Sequence, residues 1–216
     1  VSQLYYGNIV HAVLEDSISK DSNLDHEQML VKFDEHYAEY DPDKKISDEL
    51  ISVGKEIIDE FYDIYADTTF DVYEKECGFS FIVANYHIMG YIDRIDLYDD
   101  MVKIIDYKTG KWEVSQKEVP NNLQLGIYAL AASLMFPDKE VQAELHYLRS
   151  GRIKGHTFSQ EDIENVKIKL VNSINEIIQD QSFSPTNNYR VCSYCEHAKT
   201  GACPTGVFRN KKAARA

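Results

Sequence analysis

The sequence predicts a mixed α/β domain, on three observations. Apolar residues recur at helical spacing through the first third, the pattern turns to alternation near Phe70, and from Met101 onward strands and helices take turns. The 216 residues, 44% hydrophobic and 27% charged, suffice for one substantial core. A single domain over 1–216 is expected, with a helical part (5–66), a sheet-containing core (70–158), and a long helix followed by a cysteine-containing basic tail (159–216).

Ile9, Val10, Val13 and Leu14 place a helix over Tyr6 to Glu15. Asp25 to Tyr40 is a second helix, stopped at Asp41-Pro42-Asp43. Leu50, Val53, Ile57, Ile58, Phe61 and Ile64 define a third between Ser47 and Tyr65. Phe70, Val72, Phe79, Phe81, Val83, Ile88, Ile92, Ile95 and Leu97 fit short strands punctuated by Gly78, Asn85 and Gly90. Met101 to Lys108 is the next strand, closed by Gly110, and Asn121 to Phe136 a helix that Pro137 ends. Strands Val141–Leu148 and Ile153–Phe158 flank Ser150-Gly151-Arg152. Ser159, with Asp162 three residues on, caps a long helix running toward Gln181.

A formal charge of −13 argues against a uniformly basic nucleic-acid surface, because phosphate contacts need local Lys and Arg. The tail departs from this balance: Arg190, Lys199, Arg209, Lys211, Lys212 and Arg215 face only Glu196. The simpler account of its last cations is a solubilising terminus. No apolar run approaches the roughly 18–20 residues of a membrane span, and no signal-peptide pattern opens the chain, so no membrane partner and a cytoplasmic location are expected. The chain begins at Val1 directly on a helical pattern, so a native segment is expected to precede it.

The chemistry lies in two apolar strands that carry acids. Gly90-Tyr91-Ile92-Asp93-Arg94-Ile95-Asp96 is followed by Ile104-Ile105-Asp106-Tyr107-Lys108-Thr109-Gly110. Carboxylates on a half-buried sheet are costly unless paired, hydrogen-bonded or bound to a metal. Alternation puts Asp106 and Lys108 on one strand face and Tyr107 on the other, and a hairpin through Asp99-Asp100 brings Asp93 beside Asp106. Two converging carboxylates are the oxygen ligands that Mg²⁺ or Mn²⁺ prefers, and a neighbouring lysine can orient water or stabilise developing charge. An isolated Asp-x-Lys is usually only a mixed-charge surface; the spaced pair says more. Glu74 and Glu76, two apart and so expected on one strand face, read as a solvated edge or an additional acidic group.

These residues resemble the PD-(D/E)xK nuclease superfamily, and within it the RecB-type exonuclease branch that includes AddB-like and CRISPR-adaptation nucleases. Gly7-Asn8-Ile9-Val10-His11-Ala12-Val13-Leu14-Glu15 is similar to its G-x-x-x-H-x-x-L-E helix. Residues 90–96 are similar to its G-x-x-D-R-I-D strand, 105–110 to I-D-Y-K-T-G, and Gln124 with Tyr128 to its Q-x-x-x-Y helix. The resemblance runs in order over roughly residues 5–205. It implies a restriction-endonuclease-like fold, a mixed central sheet flanked by helices. It also implies metal ligands His11, Asp93, Asp106 and the Tyr107 carbonyl, with Lys108 acting on the attacking water and Gln124 and Tyr128 orienting substrate and lysine.

Cys192-Ser193-Tyr194-Cys195, with Cys203-Pro204 beyond, reads as a metal or redox motif before a disulfide. In iron–sulfur members of the branch, three such cysteines and one upstream of the His helix hold a 4Fe-4S cluster. That position lies before Val1. The fourth ligand is therefore upstream, or Cys77 replaces it, or the site is a Zn²⁺ site of Cys192, Cys195, Cys203 and His197; the first is favoured. Cys77 is expected to be a buried, inert thiol. The expected function is a metal-dependent deoxyribonuclease acting on single-stranded or frayed DNA ends in recombination, repair, or phage or CRISPR DNA processing, with a possible helicase partner. The alternatives are a catalytically silent nucleic-acid-binding or scaffold module of a helicase–nuclease assembly and a structural zinc domain.

Overall fold

The structure, a computed structural model, describes residues 2–19, 23–182, 184–186 and 188–203. It divides into two compact units, Val1–Asn172 and Ser173–Ala216. Arg209, Lys211, Lys212 and Arg215, counted above in the basic tail, lie outside the described residues, as does Pro204.

The first unit opens with helices α1 (Ser2–Ser17), α2 (His26–Tyr40) and α3 (Asp48–Tyr65). Their starts are chemically explicit. Asp25 and Gln28 form a capping box on α2, and the Ser47 hydroxyl accepts from Leu50 N–H at α3. The helices close on a core of Ile9, Val10, Leu14, Phe33, Ile58 and Phe61, which extends to Ile105 and Tyr107 on one face of the sheet. Burial of this apolar area is the main stabilising term for the helical layer.

Five strands follow in spatial order β1 (Val72–Val83), β2 (Tyr86–Leu97), β3 (Met101–Lys108), β4 (Glu140–Tyr147) and β5 (Arg152–Phe158). Only β3 and β4 are parallel, and their crossover carries a 3-10 turn (Gln116–Asn121) and helix α4 (Leu123–Met135). Helix α5 (Gln160–Gln179) follows, its start held by Ser159 and Asp162: Ser159 N–H donates to Asp162 Oδ2 at 2.9 Å, and Asp162 N–H to Ser159 Oγ at 3.2 Å. On this second face Ile92, Ile104, Leu125, Ala129, Leu130, Leu145 and Val166 form the other core. Mixed pairing with helices on both faces is the predicted fold class.

One expectation changes. The region after Phe70 is not a run of short strands broken at two glycines; β1 and β2 form one long hairpin whose turn is Ala84-Asn85, both with positive φ. Gly90 sits inside β2 opposite Phe79, where a Cβ would come within 2.8 Å of the Phe79 ring. The glycine makes room for an aromatic neighbour and does not end the strand.

In the second unit, α6 (Tyr189–Tyr194) and α7 (Glu196–Lys199) are short, and the Asn188 side chain accepts from Arg190 N–H at the start of α6. No helix of the described residues is long and apolar enough to cross a membrane.

A charged pair is buried at the centre of the sheet. Arg94 (5% exposed) and Asp96 (1%) meet at 2.8 Å. The guanidinium also donates to the Tyr107 hydroxyl at 2.8 Å and lies 4.4 Å from the Phe70 ring centroid. Burial pushes the Asp96 carboxyl up, and the Arg94 charge opposes that. Breaking such a pair from one side costs about 3–5 kcal/mol because the other charge stays buried, whereas replacing both with apolar groups is often tolerated. Urea unfolding should therefore show R94M destabilised by an amount of that order and R94M/D96L losing less than the two single losses combined. Additive losses would show that the two charges do not depend on each other.

Candidate active site

The site forms where the hairpin leaves the sheet. Strands β2 and β3 are paired only from Leu97/Val102 to Arg94/Ile105, while β2 is paired with β1 on both sides of this level, the register passing over Glu76 and Asp93. One residue past the last β2–β3 pair, Asp93 takes over: its Oδ2 accepts the Tyr107 N–H at 2.7 Å. A strand residue points its N–H and C=O to the same side, so the Tyr107 carbonyl faces this opening too. The end of the ladder thus fixes Asp93 against the Tyr107 main chain, while Asp106 is not among the ligand atoms that gather with Asp93 in the described residues.

Both hairpin strands turn over at this level. Lys75 and Arg94 serve the helical face: the Lys75 ammonium donates to the carbonyls of Glu15 and Ile18 at the end of α1, and Arg94 lies on Phe70. Two residues on, Cys77 and Ile92 belong to the opposite core. The reversal falls on Glu76, a non-glycine residue with φ 45°, a conformation of the kind that collects at functional sites. Glu74 and Glu76 consequently do not share a face. Glu74 turns to the Cys77 thiol at 3.3 Å, and Glu76 enters the site.

Helix α1 supplies the facing wall. Gly7, His11 and Glu15 recur every four residues and line one cleft of about 570 Å³ with Glu76, Asp93 and Lys108. A Cβ on Gly7 would lie 3.4 Å from the Thr109 hydroxyl, so the glycine lets α1 pass close to the end of β3. His11 Nδ1 is 3.5 Å from Asp93 Oδ2, and its ring packs edge-on to Tyr107. Among the described residues, His11, Glu76 and Asp93 are the one group of three His, Cys, Asp or Glu ligand atoms lying within 4.8 Å of one another.

On the other side, Lys108 Nζ lies 2.6 Å from Asp106 Oδ2 and donates to Gln124 Oε1 at 2.8 Å. Gln124 Nε2 donates in turn to the Tyr128 hydroxyl at 2.9 Å. Their four-residue spacing on α4 makes this relay possible, and the Tyr128 ring rests edge-on against Phe79. Tyr128 meets the lysine only through Gln124.

The electrostatics describe a crowded acidic site. Burial, with Asp93 adding and Lys108 opposing, pushes Asp106 up to about 6. Burial also raises Glu76, with Asp93 and Glu15 adding to the shift. Burial alone would lower His11, but Asp93, Asp106 and Glu76 raise it on balance. Asp106 Oδ2 is buried without a well-aligned hydrogen bond, the Lys108 ammonium being its near neighbour. An imidazole, carboxylates and a main-chain carbonyl opening on one cleft suit a hard or borderline divalent cation, and positive charge there would relieve this repulsion. Glu76 is the member of this set that sequence reasoning undervalued. Its signal, an acid inside an alternating strand, is shared by many surface strands.

The cysteines do not assemble in the same way. Cys192 is buried and donates to the Thr186 carbonyl at 3.5 Å, whereas Cys195 and Cys203 are half-buried. Among the described residues Cys192, Cys195, Cys203 and His197 are not part of a group of ligand atoms at the spacing of a single metal ion. Cys77 lies in the sheet core of the first unit, its thiol pushed up to about 11 by burial and Glu74, as expected for an inert thiol.

Comparison with known proteins bears on this cleft. No curated protein sequence matches the chain. The crystal structure of a candidate exonuclease from Eubacterium rectale is similar with a TM-score of 0.49 and 11% identity, over 83% of this chain and 67% of that one. The crystal structure of SSO0001 is similar with a TM-score of 0.41 and 16% identity, over 95% and 96% of the two chains. The sequence profile of the PD-(D/E)XK nuclease superfamily matches residues 1–203, nearly the whole chain. The chain therefore belongs to the PD-(D/E)XK nuclease superfamily, and its activity is that of a nuclease.

Proposed function

We propose that this nuclease is a divalent-metal-dependent deoxyribonuclease of the RecB-type branch that trims single-stranded or frayed DNA ends. The observation that supports it most is one cleft lined by His11, Glu76 and Asp93 together with Lys108, whose ammonium is held by Asp106 and Gln124. The choice of DNA ends rests on the resemblance of the His11 helix and the Gln124–Tyr128 helix to that branch.

His11, Glu76, Asp93, Asp106 and the Tyr107 carbonyl would hold the cation. When bound, it supplies acidification of water and neutralisation of charge on the phosphate. The chain's own residues do the positioning. Asp93 fixes the Tyr107 main chain, which orients its carbonyl. Asp106 and Gln124 hold the Lys108 ammonium between them, aimed into the cleft as a donor to the attacking water or to the developing charge on phosphorus. Water attacks phosphorus in line and gives up one proton to solvent, the bond to the leaving oxygen breaks, and that oxygen takes up a proton from solvent or a lysine-bound water. Tyr128 keeps Gln124 in place and is itself held un-ionised, its hydroxyl pushed up to about 12 by burial.

End-labelled linear DNA and circular single-stranded DNA, incubated with Mg²⁺ or Mn²⁺, test the reading. Linear single strands should be degraded and circles spared. D106N and K108A should each lower the rate by about 100-fold or more. Undiminished cleavage by D106N would remove the proposed site, and rapid cutting of circles would remove the exonuclease assignment.

Glu76 makes a separate prediction. E76Q removes one charge from the cation site while keeping the side-chain shape, so the Mn²⁺ concentration for half-maximal activity should rise about tenfold or more. Mn²⁺ should support activity at least as well as Mg²⁺, because an imidazole ligand suits the former better. An E76Q metal requirement equal to wild type would leave Glu76 the first of its two expected readings, a solvated edge.

A further inference from the structure

The sole tryptophan is 90% exposed in the loop that joins the catalytic strand to α4. A fully exposed indole is uncommon in a folded domain, since it leaves the largest apolar side chain in water. Here the exposure is imposed by a loop fastened on both sides. Before it, the Thr109 carbonyl accepts from Arg149 Nε at 2.6 Å. Directly after it, Glu113 receives Arg152 at 2.7 Å, Lys154 at 2.9 Å and the Ser150 hydroxyl at 2.7 Å. These partners hold the Glu113 carboxyl down at about 2. Val114 then donates its N–H to the Tyr147 hydroxyl at 3.0 Å and accepts from Lys154 at 2.6 Å. Trp112 is thus carried on an anchored backbone, which lowers the ordering cost of anything that stacks on it.

The loop also stands at the mouth of the cleft. Gly110 lines both the catalytic cleft and a second groove of about 340 Å³, whose charged walls are Lys111, Arg149 and Arg152 with Glu56, Glu60 and Glu113. The Glu113 charge is met by Arg152 and Lys154, which leaves Lys111 and Arg149 against Glu56 and Glu60 in a groove of balanced charge; Arg149, held on the Thr109 carbonyl and 5.4 Å from the Tyr6 ring centroid, has guanidinium donors besides Nε that a phosphate can take. Trp112 lies in the chain between Lys111 and Glu113, both of which line the second groove, so a polyanion crossing Gly110 from the cleft would run along the backbone that carries the indole. Cations that track a backbone beside an aromatic on which bases stack are the features of single-strand binding.

We infer that Trp112 is a base-stacking residue for an unpaired nucleotide of the nucleic-acid strand that occupies the cleft, with Lys111 and Arg149 on its phosphates. This rests on the nuclease reading for the identity of the strand, and the test separates the two. Because Trp112 is the only tryptophan, its emission reports its own environment. With Ca²⁺ in place of Mg²⁺, a short oligothymidylate titrated into the full chain should quench that emission to saturation. Anisotropy of the labelled oligonucleotide should show W112A and W112L weakened about fivefold or more, the low end of base–aromatic stacking, and W112F close to wild type. In cleavage assays W112A should raise KM with kcat within about twofold of wild type, as expected when binding alone is lost.

An affinity of W112A equal to wild type would overturn the inference, whatever the cleavage rate. So would W112L binding as well as W112F, since that indicates apolar adhesion without stacking. Emission unmoved by the oligonucleotide but shifted to the blue by phosphatidylserine vesicles would overturn it in favour of a lipid surface. Quenching and W112A weakening without any cleavage by wild type would retain the stacking role and remove the catalytic reading instead.

Discussion

The hydrogen bond from the Tyr107 N–H to Asp93 Oδ2, at 2.7 Å, closes a ladder that the main chain leaves open. Beyond Arg94 and Ile105 the two strands separate, and every backbone donor at that fork needs an acceptor or water. A carboxylate in this position satisfies the donor and keeps its remaining lone pairs pointed into the gap. The same atom lies 3.5 Å from His11, so one oxygen ties the sheet, the α1 helix and the site together. Tyr107 is fixed from its other end as well, because its hydroxyl accepts from Arg94 deep in the helical core. Strand end, metal-ligand candidates and core packing are therefore parts of one arrangement.

That arrangement concentrates negative charge on a partly buried surface. Asp106 and Glu76 respond by shifting upward, and the Lys108 ammonium offsets part of the repulsion. If folding were the only requirement, an apolar pair at this fork would be the simpler solution, because buried ionic groups rarely add net stability. Acids placed against this gradient are what the proposed cation binding would use, since it needs their proximity. The Arg94–Asp96 pair behind them has a different status: both members are nearly inaccessible and each is the other's main compensation.

Much of this was legible in the sequence because it depends on local periodicity. Ser159 with Asp162 as the start of α5, the Met101–Lys108 strand, the α4 helix and the opposition of Asp106 and Lys108 to Tyr107 all follow from spacing of two or three to four residues. Three points were not legible. Gly90 reads as punctuation in a linear sequence, and its role as space for Phe79 exists only across the hairpin. Glu74 and Glu76 read as partners on one face, and only a left-handed φ at Glu76, which costs strain that no composition rule anticipates, sends them to opposite sides. The cysteines read as a metal motif, and spacing along the chain alone does not say how far apart their sulfurs lie.

The parallel pairing of β3 with β4 explains why the site has two walls of different kinds. Antiparallel neighbours can be joined by a tight turn, as β1 and β2 are, and such a turn has little room for further function. A parallel neighbour requires a crossover, and here it runs from Thr109 to Lys139 between the end of β3 and the start of β4. That length brings α4 back over the sheet, where Gln124 can reach Lys108, and leaves an extended loop beside Gly110 that holds Trp112. The helix wall and the exposed indole are thus products of one topological choice: once β4 runs alongside β3, the chain must travel back past the carboxyl end of β3, where Asp106 and Lys108 lie.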